Sequence, residues 1–438
     1  MTLSLWNKFW FAPQKPHALG LFRIAFGLLL LIILLISIPN WTRFYGAGGT
    51  LPFSYIFEPF AGYSWSLFAV SGAQAWTWGL FAAGAAAAIL FTVGLFTRSA
   101  TIALFAVFAS MLHRNPFLIN GQDEVAVMLL FFMCFAPAGD AMSLDAVIKR
   151  FRHLSRSQTM PETEEKPAWA VRLMQVSIAF IYLFSTPSKY LDDVAWRDGS
   201  AIYYVTLSPR WFRFPNVPLL HNRLLSSFAT FGTLITEMAF PLLVWFKKTR
   251  YPVLLAITAL HTLLLVFMGT SVFFFNLTMV VSFILFVEPH RIEKAGRRLF
   301  KKRAAVLYDG DCSFCIKTMH IFQALDGKAN RLTFENLRDE TTYKKFPSIS
   351  PEDARREMHV VGNDGTIHKG FFAFRYLAGV VPGLFPALPF LFVPGASLVG
   401  PAIYRFISSR RLGKNVCIEC GAGHPTTAHP ENNRRSDA

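Results

Sequence analysis

The sequence predicts an α-helical polytopic membrane bundle of about eight spans, followed by a small C-terminal α/β domain. Of its 438 residues, 53% are hydrophobic and 15% aromatic, with 45 Phe, while only 16% are charged. A soluble domain carries about 25% charged residues, so this excess of apolar text belongs in lipid rather than in one large aqueous core. The apolar residues also collect into runs near the roughly 20 needed to cross a bilayer as a helix. Beyond Glu288 and Pro289 the text turns basic and then mixes short apolar stretches with charge and turn residues. The chain is too long for one ordinary domain. The predicted divisions are a transmembrane domain over 1–289, a basic linker over 290–303, a compact domain over 304–412 and a flexible Cys/His-containing tail over 413–438.

Taken in order, the first span is Leu19 to Ile38, with Arg23 near its start, where a long side chain can snorkel. Its apolar run has no small-residue cleavage site, so it is expected to stay as a span rather than be removed. A Trp- and Tyr-rich interfacial loop follows, as expected at a membrane boundary. Trp76 to Phe96 is the second span, with alanines from Ala83 to Ala88 suited to close helix packing. Ala100 to Leu112 is the third and Val125 to Pro137 the fourth; both are short. The longest hydrophilic connection, Gln158 to Lys166, leads to the fifth span, Trp169 to Thr186. Leu225 to Phe246, Tyr251 to Met268 and Ser271 to Val287 complete the set.

The formal net charge is +16. In a membrane chain this reads as loops retained on the cytoplasmic side. No basic face carries interleaved stacking aromatics outside the apolar spans, so nucleic-acid binding is not expected. With eight spans, the basic segments near Lys149, Lys247 and Arg297 fall on one side together with the N-terminus and Arg98. That side is cytoplasmic by the Lys/Arg rule, giving an integral protein of a bacterial inner membrane with its C-terminal domain in the cytoplasm. The bilayer is its first partner.

The most chemically informative stretch is Val306-Leu-Tyr-Asp309-Gly-Asp-Cys312-Ser-Phe-Cys315. A short β-type run breaks at Asp309 and Gly310, and a helical pattern (Ile316, Met319, Phe322) begins with a C-x-x-C pair. A strand, a tight turn and a helix opening on two cysteines is how a thioredoxin-like site is built. The helix N-terminus lowers the pKa of a thiol placed there, the second thiol can close a disulfide one turn on, and Asp309 can exchange the proton that thiol chemistry moves. Half of a zinc site is the other reading, because zinc ribbons also begin with C-x-x-C. In a reducing cytoplasm a disulfide would be transient and catalytic. Cys134, alone in an apolar run, reads as a small core residue.

Asp309, Gly310, Cys312 and Cys315 reproduce the D-G-x-C-x-x-C signature of the DCC family of predicted thiol-disulfide oxidoreductases, and the region from Ala304 to Leu412 resembles that family. Leu332 to Arg338, Met358 to Gly365 and a closing helix with Tyr404 and Arg405 fit as well. The resemblance implies Cys312 as attacking thiolate, Cys315 as resolving thiol and a thiol/disulfide protein or small thiol as partner.

Polar residues of the membrane half gather on the side opposite the basic loops. Arg114, Asp123 and Lys189 stand at span ends in apolar text, and His261 stands inside the seventh span. Ionisable groups at membrane level are a functional hypothesis by default; the plainer readings are tertiary pairing for the first three and a hydrogen-bonded bundle residue for His261. Several short matches (His17 to Arg23, Phe44 to Gly49, Arg114 to Asp123, Pro137 to Asp145 and Lys189 to Gly199) make Pro16 to Pro289 resemble the HTTM family, which includes the vitamin K-dependent gamma-carboxylase. In that enzyme a Lys in the segment matching Lys189 is the base that deprotonates a reduced quinone. Here Gln122-Asp123 stands near the place of a family His, and the thiol domain replaces the carboxylase's β-rich region. The resemblance therefore implies a quinone or lipid-facing redox role rather than glutamate carboxylation.

The tail carries Cys417, Cys420, His424 and His429, which supply four N/S ligands for zinc, a second redox pair, or an unstructured end. Two functional readings follow. One is a membrane thiol-disulfide oxidoreductase coupled to a quinone-like or lipid-soluble partner. The other is a non-catalytic scaffold or maturation factor whose C-terminal domain binds zinc or a partner protein.

Overall fold

The computed structural model describes residues 3–53, 65–214 and 221–414. The chain divides into two compact units, Met1–Leu299 and Phe300–Ala438. The first is built from helices; the second adds a small mixed sheet.

In the first unit the long helices are His17–Ser37, Gln74–Val93, Thr97–Arg114, Trp169–Asp192, Arg223–Leu243 and Arg250–Phe267. Their core is apolar and tightly closed: Phe22, Phe26, Leu30, Leu34, Phe91 and Leu104 are fully buried. Glycine allows the closest approach, since a Cβ on Gly27 would lie 2.4 Å from Thr92 Oγ1 of the neighbouring helix. Leu28, Ile32, Leu35 and Ile36 of the first long helix face outward, as a lipid-facing surface requires. The two-residue strands β1 (Pro13–Gln14) and β2 (Lys166–Pro167) pair antiparallel.

Among the described residues, four helices are long and apolar enough to cross a membrane: His17–Tyr45, Gln74–Val93, Trp169–Asp192 and Arg250–Phe267. The number rises to six if each of two sharply bent pairs is one span. Each of the eight predicted runs contains helix, but eight crossings are not established, and three runs differ in instructive ways. The third extends to Thr97–Arg114, taking in Arg98 and Arg114. The fourth is Gly121–Met133, of 13 residues, or roughly 20 Å at 1.5 Å per residue, short of the roughly 30 Å hydrocarbon core. The eighth breaks into Thr270–Val272, Phe273–Ser282 and Phe283–Phe286. It then bends by 101° into Pro289–Leu299. Val287 is extended at that bend, and helical backbone is disfavoured before Pro289. The basic stretch expected as a linker is thus partly helical, and its helical part lies within the first unit.

Two charges, one buried and one half-buried, pin loops to this bundle. Arg23 donates to the carbonyls of Ala138, at 3.3 Å, and Met142. Asp145 accepts the N–H groups of Phe96 and Thr97 at 3.0 and 2.9 Å and the Thr97 hydroxyl at 2.7 Å. It thereby satisfies the open N-terminus of the next helix from far along the chain.

The second unit has four strands in the order β4-β3-β5-β6: β3 is Ala304–Tyr308, β4 Leu332–Asn336, β5 His359–Gly362 and β6 Ile367–Lys369. β3 and β4 are parallel and β5 is antiparallel to β3. The parallel pair needs a crossover, which the Ser313–Asp326 helix provides. Alternation along the strands makes two cores. Ala304, Val306 and Val360 pack with Phe322, Ala373 and Leu377; Leu307 and Val361 pack with Leu337, Ile349 and Ala354 on the other face. A 3-10 turn over Pro382–Ala387 and a short helix over Leu388–Leu391 precede the closing helix, which runs over Ala396–Lys414. Tyr404 of that helix accepts the N–H of Met358 at 2.9 Å, anchoring it beside β5.

Candidate functional site

The dithiol lies at the carboxyl end of the central strand β3, the end at which open sheets place their ligands. Leaving β3, the chain turns through Asp309 and Gly310, and the Cys312 N–H closes the turn on the Asp309 carbonyl at 3.2 Å. Asn336, ending the neighbouring strand, accepts the N–H of Gly310 at 3.1 Å and that of Arg338 at 3.0 Å. A Cβ on residue 310 would lie 2.5 Å from Asn336 Nδ2, so the close approach of this amide is what requires glycine.

Cys312 is the N-cap of the Ser313–Asp326 helix, and its Sγ accepts the N–H of Cys315 at 3.4 Å. A sulfur there meets the positive end of the helix dipole and a donor that has no partner within the helix. Cys312 is 7% exposed and Cys315 is half-buried. Asp309 Oδ1 accepts the N–H of Asp311 at 3.2 Å and Arg338 Nε at 3.0 Å. Arg338 also lies 3.2 Å from Asp311. The structure therefore joins the three predicted residues of this site in one turn and adds Asn336 and Arg338. Both stood in the quoted Leu332 to Arg338 segment, but nothing in their spacing from the cysteines marked them.

In the bundle the four candidates separate. Arg114 is fully buried and donates to the carbonyls of Tyr45, Gly46 and Leu51 at 3.1, 2.6 and 2.8 Å. Its guanidinium also lies over the Phe53 ring. Asp123 accepts the N–H of Asn120 at 3.0 Å, fixing the start of its own helix. Lys189 instead meets Glu237, with Nζ 2.7 Å from both carboxylate oxygens. Thr186 donates to the same carboxylate at 3.2 Å, and Trp196 lies 5.2 Å from the ammonium.

His261 sits between Tyr182, 2.6 Å from its Nε2, and Asn276 Oδ1, 2.7 Å from its Nδ1. Asn276 uses its amide N–H₂ on the carbonyl of Val272, so its oxygen accepts. His261 then carries its proton on Nδ1 and receives the Tyr182 hydroxyl at Nε2. Sequence reading missed Glu237, although a lone acid in the Arg223–Leu243 helix was the available signal.

Among the described residues no three His, Cys, Asp or Glu come together to hold a metal. The tail candidates Cys417, Cys420, His424 and His429 lie outside the described residues. Cys134 is half-buried, and its thiol donates to the Leu130 carbonyl within its own helix.

Residues 11–290 match the HTTM domain family. The chain belongs to the HTTM family. Residues 306–415 match the DCC1-like thiol-disulfide oxidoreductase family, so the HTTM domain is fused to a DCC1-like domain in one chain. Neither curated proteins nor solved structures return a match. The HTTM domain and its apolar helices are compatible with a membrane protein, and the two domains together with a membrane redox protein.

Proposed function

We propose that this HTTM protein is an integral membrane thiol-disulfide oxidoreductase whose working dithiol is Cys312 and Cys315. The observation that carries the reading is the placement of Cys312 Sγ on the N-terminus of the Ser313–Asp326 helix with its bond from the Cys315 N–H. In the proposed cycle the Cys312 thiolate attacks a substrate disulfide and releases one substrate thiolate, leaving a mixed disulfide. Cys315 gives up its proton and attacks Cys312, releasing the second substrate thiolate. The dithiol loses two electrons, the substrate disulfide gains them, and the two thiol protons end on the products. Asp309, held by Arg338, is the group assigned to moving them. The β-α-β unit followed by a hairpin and a helix supports a thioredoxin-like fold for this domain.

A quinone-like or lipid-soluble carrier in the HTTM domain is the proposed electron partner. Lys189 and Glu237, an ion pair in the bundle, are its candidate contacts. Eight crossings of a bacterial inner membrane, with the N-terminus and the DCC1-like domain cytoplasmic, complete the proposal on the strength of the basic segments near Lys149, Lys247 and Arg297.

The test equilibrates the full chain in lipid nanodiscs with mixtures of reduced and oxidised dithiothreitol and follows the peptide containing Cys312 and Cys315 by mass spectrometry. A disulfide that forms and breaks reversibly, and its loss with all thiol exchange in Cys312→Ser, is the expected result. Stoichiometric zinc with no reversible disulfide would sink this reading in favour of a metal-binding scaffold.

A further inference from the structure

The DCC1-like domain carries an open cavity of about 730 Å³ with Cys315 in its wall. Phe314, Met319, Phe371, Phe374, Val399 and Ile403 make much of the lining, so the Ser313–Asp326 and Ala396–Lys414 helices face each other across it. Small-molecule sites occupy roughly 300–1,000 Å³ and combine apolar walls with a few polar groups, and this cavity has that character. Its polar groups include Thr318, Tyr404 and Ser408, and Glu357 is the charged residue of the lining. The Tyr404 oxygen is already engaged by the Met358 N–H.

The walls bear on which disulfide reaches the thiols. An anionic thiol such as glutathione would bring carboxylates into an apolar space whose charged group is another carboxylate. Burying such charges unpaired is costly, and among the described residues the lining holds no lysine or arginine to meet them. An uncharged apolar body, by contrast, regains the dispersion contacts that an empty apolar cavity forfeits. The domain also follows, in one chain, a unit with four candidate membrane spans, or five if its bent pair is one span, where lipophilic solutes are concentrated.

We infer that the cavity is a substrate site for a lipophilic, uncharged small-molecule disulfide, whose apolar body lies between the two helices with its sulfur at the dithiol. This rests on the thiol-exchange reading above and narrows its substrate class. The bonds broken and formed are those of the cycle already given: the substrate S–S bond is reduced to two thiols and the Cys312–Cys315 bond forms, with no further reductant needed.

The probes are alkyl 2-pyridyl disulfides with ethyl, butyl and octyl chains, and a carboxyethyl analogue. Each releases 2-thiopyridone on exchange with the reduced full-length protein in nanodiscs; a Cys312→Ser/Cys315→Ser variant is the blank for other thiols. From ethyl to octyl the rate should rise at least about tenfold, given that each buried methylene is worth about 0.8 kcal/mol. The carboxyethyl probe should be slowest. Ile403→Trp and Val399→Trp, which fill the cavity, should abolish the rise. Equal rises in wild type and both variants would mean partition into lipid alone and would overturn the site, as would a flat series. Should the Trp variants lose the ethyl rate as well, competition by 1-decanol decides: saturable slowing of the octyl probe supports the site, and none overturns it. Failure of every probe to oxidise the pair would instead refute the thiol-exchange reading itself.

Discussion

In the dithiol turn the predicted groups from Asp309 to Cys315 are neighbours in sequence, whereas in the HTTM bundle Lys189 and Glu237 meet across 48 positions and Tyr182 and His261 across 79. The turn needs one strand end, one glycine and one helix start to place its sulfurs. The bundle needs separate helices to pack in one register before any of its polar contacts exists. Local sites are therefore legible as motifs, while sites built across helices are legible only as isolated polar residues awaiting partners. The two also differ in what holds them. Cys312 leans on backbone N–H groups; Lys189 leans on a side chain whose removal leaves a charge in an apolar setting.

That difference sets the largest expected effect. Glu237 is 6% exposed, so Lys189→Met strands its carboxylate. Breaking a buried pair from one side costs about 3–5 kcal/mol, which should appear as a large fall in thermal stability of the nanodisc-embedded protein. Lys189→Met combined with Glu237→Leu should recover much of it, because no charge is then left unpaired. Full recovery of stability without recovery of electron transfer would separate a chemical role from a structural one. A single substitution without effect would show that the pair is solvated and the contrast with the turn mistaken.

A smaller effect is expected in the turn. Asn336→Ala removes the acceptor of the Gly310 and Arg338 N–H groups and should cost about 1–3 kcal/mol. Gly310→Ala should cost a similar amount by driving a methyl into the Asn336 amide. The combination should cost less than the sum, since Asn336→Ala clears the space that the new methyl needs. Denaturant titration followed by hydrogen exchange on β3 and β4 reads all three; strict additivity would mean that the close approach is not what requires glycine.

These same residues show where sequence reading stopped. Composition and run length announce a membrane bundle, but hydrophobicity alone does not say where a run breaks. The eighth run divides at Phe283 and bends before Pro289 for backbone reasons, and the fourth is ended early by a loop that Arg23 holds in place. Arg114 and Asp123 were visible as charges in apolar text, yet Arg114 pairs with backbone carbonyls, which every sequence offers equally, and Asp123 with the Asn120 N–H and the adjacent Gln122 amide. The dithiol was visible because its chemistry depends on spacing. Asn336 was not, because its register against Gly310 is set by parallel pairing of β3 with β4, a long-range fact.

The smallest effect separates the two domains through their buried histidines. Both ring nitrogens of His261 have partners. In the DCC1-like domain His359 is 1% exposed, with Nδ1 3.0 Å from the Glu357 carbonyl and Nε2 without a partner among the described residues. Burial holds its pKa below the ordinary 6.5, against an opposing pull from the Glu357 carbonyl and with nearby Lys369 adding to the depression. The unfolded chain then takes up a proton at a higher pH than the folded one. Stability from this residue is fully present above the ordinary value and is lost as pH falls below it. Hydrogen exchange on β5 should accordingly quicken between about pH 7.5 and 5, once corrected for intrinsic rates. His359→Leu, which takes up no proton and leaves no orphan nitrogen, should flatten that dependence. An unchanged slope would place the acid sensitivity elsewhere in the sheet and leave the unpaired Nε2 without thermodynamic consequence.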